Sequence, residues 1–255
     1  LVDERATFVA FPGARDTLAG ALDEARAVLA ADAQIGAVVL EPIQGRGGVI
    51  VPPDGFLRGM RALCDEFGCV LILDEIYTGY GRTGTMFACE REAVVPDILC
   101  VGKAIAGGVP LSAAIGRPAV MRAWPPSSGE ALHTATFSGN PLACAAALAV
   151  LDEFERGAIV AGVAHREPAL RERLERLRRH ATVIDVRGIG MLWAIEFDTA
   201  EIANRVVRAG LQRGLILLQS GTTGTSITLA PPLNIEDDQL ARAIDVLDRT
   251  IEETA

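Results

Sequence analysis

The chain has 255 residues, enough for one large domain or two modest ones around a real core. Its composition, 50% hydrophobic and 22% charged, is that of a folded protein, and 24 Lys plus Arg against 33 Asp plus Glu leave a net charge of -9, which weighs against broad nucleic-acid binding while leaving a local basic patch open. Cys64, Cys69, Cys89, Cys100 and Cys144 form no CxxC pair, His133, His165 and His180 are scattered, and no apolar run is long enough to cross a bilayer, so the expectation is a chain without metal, membrane or nucleic-acid partners in a reducing, cytoplasmic setting.

Taken in order, Leu18, Leu22, Ala25 and Leu29 recur at threes and fours and predict a helix over 16–31. The apolar run GAVVL (36–40) predicts a buried strand that ends at Glu41 and enters the loop EPIQGRGGVIVPP. Phe56, Leu57, Met60 and Leu63 stripe a helix over 54–66, and CVLIL then runs straight into Asp74 and Glu75. Strand, helix and strand at this spacing argue for a parallel α/β sheet, extended by DILCV before Lys103 and by LSAAIG. The alanine-rich segment 141–154 predicts a packed core or interface helix. Leu170, Leu174 and Leu177 give a buried stripe to a charged helix over 166–179. Beyond it, VIDVRGIGMLWAIEF reads as strand, tight glycine turn and strand. A helix over 201–213, the strands in GLILLQS and SITL, and a closing helix over 236–253 with Leu240, Ile244, Leu247 and Ile251 on one face complete the chain. The change of character divides it into 1–159 and a smaller α/β domain, 160–255, joined by a linker that itself reads as helix.

Chemistry-bearing residues gather at one kind of place. Ligands of open parallel sheets sit at the carboxyl ends of the strands, and Glu41, Asp74 and Lys103 each follow an apolar run. Lys103 is also the single lysine beside 23 arginines. A sequence that has otherwise used arginine keeps here an amine that is able to deprotonate, which arginine does not do at ordinary pH. Survival of an ordinary surface lysine is the alternative. Such an amine serves as a point charge, a base or a covalent nucleophile. A carboxylate at Asp74 suits a positive cofactor group, or else a helix cap, and Gly102, Gly107 and Gly108 leave room beside the lysine.

The stretches LILDEIYTGYGRTGTMFACE and VVPDILCVGKAIAGGVPLSAAIG, with EPIQGRGG, HTATFSGNPLACAAALAVL and ITLAPPLNI, closely resemble the class III aminotransferases, pyridoxal-phosphate (PLP) enzymes of fold type I. Five motifs in order span almost the whole chain. The resemblance implies a three-layer, mostly parallel sheet in a partial large domain, followed by a small C-terminal α/β domain. It implies PLP-dependent transfer of an amino group from an amine or amino-acid donor to an oxo-acid or aldehyde acceptor, with Lys103 forming the Schiff base and moving the proton. Asp74 would keep the pyridine nitrogen protonated, Ile76 would lie against the ring, and Thr136 would reach the phosphate across a homodimer interface. Glu41 would stand near cofactor or substrate. Enzymatic alternatives on the same fold are an aminomutase, decarboxylase or racemase; the non-enzymatic one is a partner subunit or fragment without catalysis.

Three positions depart from the family pattern. Tyr77 replaces a glutamine that bonds the cofactor's ring oxygen, and its hydroxyl would take over that contact. Arg46 stands where several members carry a gating glutamate, and Thr228 where many carry a carboxylate-binding arginine. Either Arg46 anchors the substrate carboxylate from the other side, or it faces solvent and the substrate lacks an α-carboxylate. Family members are longer at the front, where a phosphate loop and a ring-stacking aromatic lie. The chain therefore resembles their C-terminal two-thirds, with a separate N-terminal segment as a further partner.

Overall fold

The computed structural model describes residues 6–13, 16–129 and 134–254. Its first sheet has the order β1 (Ala37–Leu40), β2 (Val70–Asp74), β3 (Ile98–Val101), β4 (Ala113–Gly116). The first three strands run parallel and β4 is antiparallel to β3. Helix α1 (Leu18–Ala31) begins later than periodicity predicts because Thr17 caps it, its Oγ1 accepting from Gly20 N at 3.1 Å. Helix α2 (Phe56–Phe67) ends where Gly68 enters the left-handed region at φ 70°. Both helices cover one face of the sheet: Leu29, Phe56, Leu57, Met60 and Leu63 pack against Leu71 and Leu73.

The expectation of a buried first strand is corrected. Val38 and Leu40 reach the core, but Val39 is 66% exposed. Among the described residues β1 pairs only with β2 and forms the sheet edge, and the face that carries Val39 is left open.

After the short helix α3 (Pro118–Met121), Asn140 caps α4 (Pro141–Arg156) by accepting from Leu142 N and Ala143 N at 3.0 and 3.2 Å. Ala147 packs with Ile105 and Ala106 of the turn that begins at Lys103, while Leu142 and Leu148 on the same helix stay exposed. The predicted linker helix breaks at Gly157. Helix α5 (Ile159–Glu175) then starts earlier than predicted, continues into a 3-10 turn at Arg176–Arg179, and buries the expected Leu170, Leu174 and Leu177.

The second sheet, in the order β5 (Val183–Ile189), β6 (Leu192–Phe197), β8 (Ser226–Leu229), β7 (Leu218–Ser220), is antiparallel throughout. Helices α5, α6 (Ala200–Gln212) and α7 (Asp237–Thr254) share its core around Trp193, Phe197, Ile227, Leu174 and Ile251.

The two sheets are tied together by direct bonds. Arg82 Nη1 donates to Met191 O at 3.1 Å and Pro231 O at 2.6 Å, and Met191 N returns a bond to Arg82 O at 2.9 Å. Arg187 Nε donates to Gly48 O, and Gly221 N to Arg46 O. A small core of Ile43, Val49, Leu192 and Ala194 fills the junction. The EPIQGRGG loop and the loop after Asp74 are therefore both held by the second sheet.

Candidate active site

Parallel pairing in register brings the strand ends together. Leu40 lies opposite Leu73 and Asp74 opposite Cys100, so Glu41 and Asp74 leave neighbouring strands at the same edge, and Lys103 follows two residues after β3. Glu41 feels the charges of both Asp74 and Lys103. The three residues that sequence placed at strand ends thus lie at one edge of the sheet.

Lys103 is exposed and occupies the left-handed region at φ 45°. A non-glycine residue there costs about 1–2 kcal/mol. Its Nζ lies 4.7 Å from the centroid of the Tyr77 ring, a cation–π contact worth about 0.5–1 kcal/mol at an exposed site. The ring is seated against Gly45, where an added Cβ would come within 1.9 Å of Tyr77 Cδ1. Glycine at 45 is the space the tyrosine uses. Burial pushes the Tyr77 phenol above its ordinary value, against the pull of the Arg82 and Arg46 charges. The hydroxyl is accordingly held as a neutral donor at physiological pH.

Asp74 Oδ1 accepts from Ile76 N at 2.9 Å, which fixes the carboxylate within its turn. Ile76 packs on Gly102, just before the lysine, with its Cγ2 3.3 Å from where a Cβ would stand. A groove of about 990 Å³ opens along β1 and reaches Glu41, Gln44 and Asp74.

Glu41 Oε2 accepts from Gly45 N at 3.0 Å. Burial pushes its carboxyl above 4.5, helped by Asp74 and opposed by the Gly45 amide and Lys103. A carboxyl raised in the folded state contributes stability below its unfolded value and loses it as pH rises through the folded one. Glu41→Gln keeps an acceptor for Gly45 N and removes the titration. Its denaturation midpoint is expected to gain on wild type as pH rises from 4.5 toward neutrality. Parallel midpoints for the two proteins across that window would contradict this.

Thr136 and Arg46 stand outside this inner group. Thr136 is exposed on the turn before α4, and no hydrogen bond or ion pair joins it to the cluster among the described residues. Arg46 is exposed, close enough to Tyr77 to act on it electrostatically, and in no ion pair among the described residues. Thr228 is buried and bonded to Ser220 Oγ at 2.7 Å, so it presents no free polar group. His133 lies outside the described residues. The five cysteines are all unpaired, and no group of His, Cys, Asp and Glu suited to a metal occurs among the described residues. Nor is any helix among them long and apolar enough to cross a membrane.

Sequence reasoning passed over Gly45 and Arg82. Their signals, a glycine in QGRGG and an arginine in GYGRTG, have no meaning until the loops they join are folded together.

An α/β unit with a lysine and carboxylates at the ends of parallel strands, tied to an antiparallel sheet, is the architecture of a fold type I enzyme. The family model for class-III aminotransferases matches residues 10–251, and the chain belongs to that family. A putrescine aminotransferase of Pectobacterium atrosepticum is 45% identical over 213 residues, covering 82% of this chain and 45% of that protein. A 4-aminobutyrate aminotransferase of Mycobacterium leprae is 42% identical over 245 residues, covering 91% of this chain and 54% of that protein. An ornithine aminotransferase structure from Toxoplasma gondii, described as having partial PLP occupancy at its active site, superposes with a TM-score of 0.84 at 34% identity, covering 91% of this chain and 55% of that one. The chain spans about half the length of the curated relatives it matches.

Proposed function

We propose that this chain carries the lysine-bearing part of a PLP-dependent transaminase site, in which an amine or amino acid gives its amino group to an oxo acid or aldehyde. The observation that supports this best is the convergence of Glu41, Asp74 and the sole lysine, Lys103, at one edge of the parallel sheet. The donor set fits the cofactor. There is one amine for its aldehyde. Asp74 has one oxygen bonded to Ile76 N and no hydrogen bond at the other among the described residues. The groove along β1 reaches two of these residues, Glu41 and Asp74.

When bound, PLP supplies a reactive aldehyde and an electron-accepting ring. Lys103 Nζ would hold that aldehyde, and as a free amine would carry the proton that the reaction moves. Asp74 keeps a proton on the ring nitrogen by offering an opposite charge. Ile76 would bear on the ring face, and the Tyr77 hydroxyl would donate to the ring oxygen. Thr136 would serve the phosphate of a second copy in a homodimer. The exposed Phe137, Leu142 and Leu148 beside it suit that burial. Residues 1–159 form the cofactor-binding part and 160–255 the small domain, with a cytoplasmic location.

The test is the intact mass of the chain with PLP before and after borohydride reduction. A fixed adduct mapping to Lys103 supports the reading; absence of any adduct on the folded chain sinks it.

Arg46 is proposed to anchor a substrate carboxylate. Its guanidinium is in no ion pair among the described residues and acts on Tyr77 electrostatically, and the alternative anchor position, Thr228, is closed. Arg46→Ala is expected to raise KM for carboxylate-bearing donors by about tenfold to a hundredfold and to leave diamines unaffected. A uniform effect on both substrate types would sink the anchor reading.

A further inference from the structure

Next to Asp74, Glu75 is fully buried, and its carboxylate has no basic partner in any ion pair among the described residues. Instead it gathers three donors from its own loop. Oε2 accepts from Thr78 Oγ1 at 2.5 Å and Ala88 N at 2.9 Å, and Oε1 accepts from Cys89 N at 2.8 Å. The backbone is held as well: Glu75 N donates to Cys100 O on β3, and Glu75 O accepts from Gly79 N, both at 2.9 Å. Every polar group of this residue therefore closes the segment from 75 to 89 onto itself or onto the sheet. A buried carboxylate costs several kcal/mol unless its hydrogen bonds are made, so the loop is confined to conformations that deliver these donors.

Glu75 lies between Asp74 and the Ile76–Tyr77 pair, the residues of this turn that the site uses. Asp74 receives Ile76 N, and Tyr77 carries the Lys103 amine on its ring. We infer that Glu75 is a positioning residue: by clamping Thr78, Ala88 and Cys89 it sets the direction of Asp74 and holds the Tyr77 ring between Gly45 and Lys103. This rests on the reading that Asp74 and Lys103 hold PLP. It adds a residue that touches neither cofactor nor substrate but determines where the groups that do are placed.

Glu75→Gln tests it with little change in volume. An amide has one acceptor oxygen, so its NH₂ must oppose at least one of the three donors. Because Lys103 is the only lysine, reductive ¹³C-methylation labels it uniquely apart from the chain terminus, and the Tyr77 ring shifts its methyl resonance. This readout needs no cofactor. In Glu75→Gln, with a wild-type circular dichroism spectrum, the resonance is expected to move toward its position in Tyr77→Leu. The unlabelled variant is expected to bind PLP about tenfold more weakly.

An unmoved resonance overturns the proposal. A moved resonance with unchanged PLP affinity overturns its link to the cofactor. Where Glu75→Gln does not fold, Thr78→Val removes a single donor, and the same two readouts decide in the same way. A wild-type chain that takes up no PLP fails the functional reading alone, since the resonance still reports on Glu75.

Discussion

The Lys103→Ala variant is expected to keep its fold, to give no borohydride-fixed PLP adduct, and to lose transamination by about 10⁴-fold or more. The fold survives because Lys103 is exposed and its amine makes no hydrogen bond or ion pair among the described residues, only the contact over Tyr77. The chemistry fails because no other lysine exists anywhere in the chain to take over. Arginine is no substitute, since it stays protonated and does not act as a nucleophile at ordinary pH. Added methylamine offers a refinement: partial return of single-turnover proton transfer would assign the lost step to the amine and not to a collapsed pocket. An adduct that persists in Lys103→Ala would place the covalent chemistry elsewhere.

The second large effect concerns the joint between the two sheets. Gly190 sits at φ 58° in the turn between β5 and β6, and a Cβ there would lie 2.5 Å from Arg82 O, 2.7 Å from Thr83 C and 2.8 Å from Thr83 Cα. All three are backbone atoms, so no side chain can turn aside to make room. Gly190→Ala is expected to cost about 3 kcal/mol or more, from the clash together with the left-handed backbone. The damage should concentrate where Arg82 meets Met191 and Pro231. Since Arg82 lies in the same loop as Tyr77, the variant should also weaken PLP binding although it is remote from Lys103. Gly214 makes a control: it too has positive φ, but nothing lies within 4 Å of its Cβ position, so Gly214→Ala carries only the backbone strain. Equal denaturation midpoints for the two variants would refute the steric argument.

Much of this molecule is written in local patterns. The apolar runs and their spacing sufficed for the first two parallel strands, because a strand, a helix and a second strand in succession leave few ways to bury both strands. The helical stripes of α2 and α7, and the charged face of α5, follow from a period that each segment carries within itself. The singular lysine and the acidic residues after apolar runs were likewise visible, since strand direction puts such residues at one edge whatever the tertiary detail.

Other features depend on partners distant in the chain. The exposure of Val39 reflects what packs over that face of β1, not the apolar run that contains it. The break at Gly157, whose N–H closes α4 on Glu153 O, and the earlier start of α5 fall at residues whose propensities permit either course. Gly45 matters only because Tyr77 folds against it, and Arg82 only because carbonyls more than a hundred positions later receive its guanidinium. The sequence by itself determined which elements form and which residues stand at the strand ends. The tertiary structure alone decided how the lysine is held, which loops are clamped, and that Thr228 is closed while Arg46 is open, because these follow from contacts between segments and contacts of that kind leave no period or spacing to read.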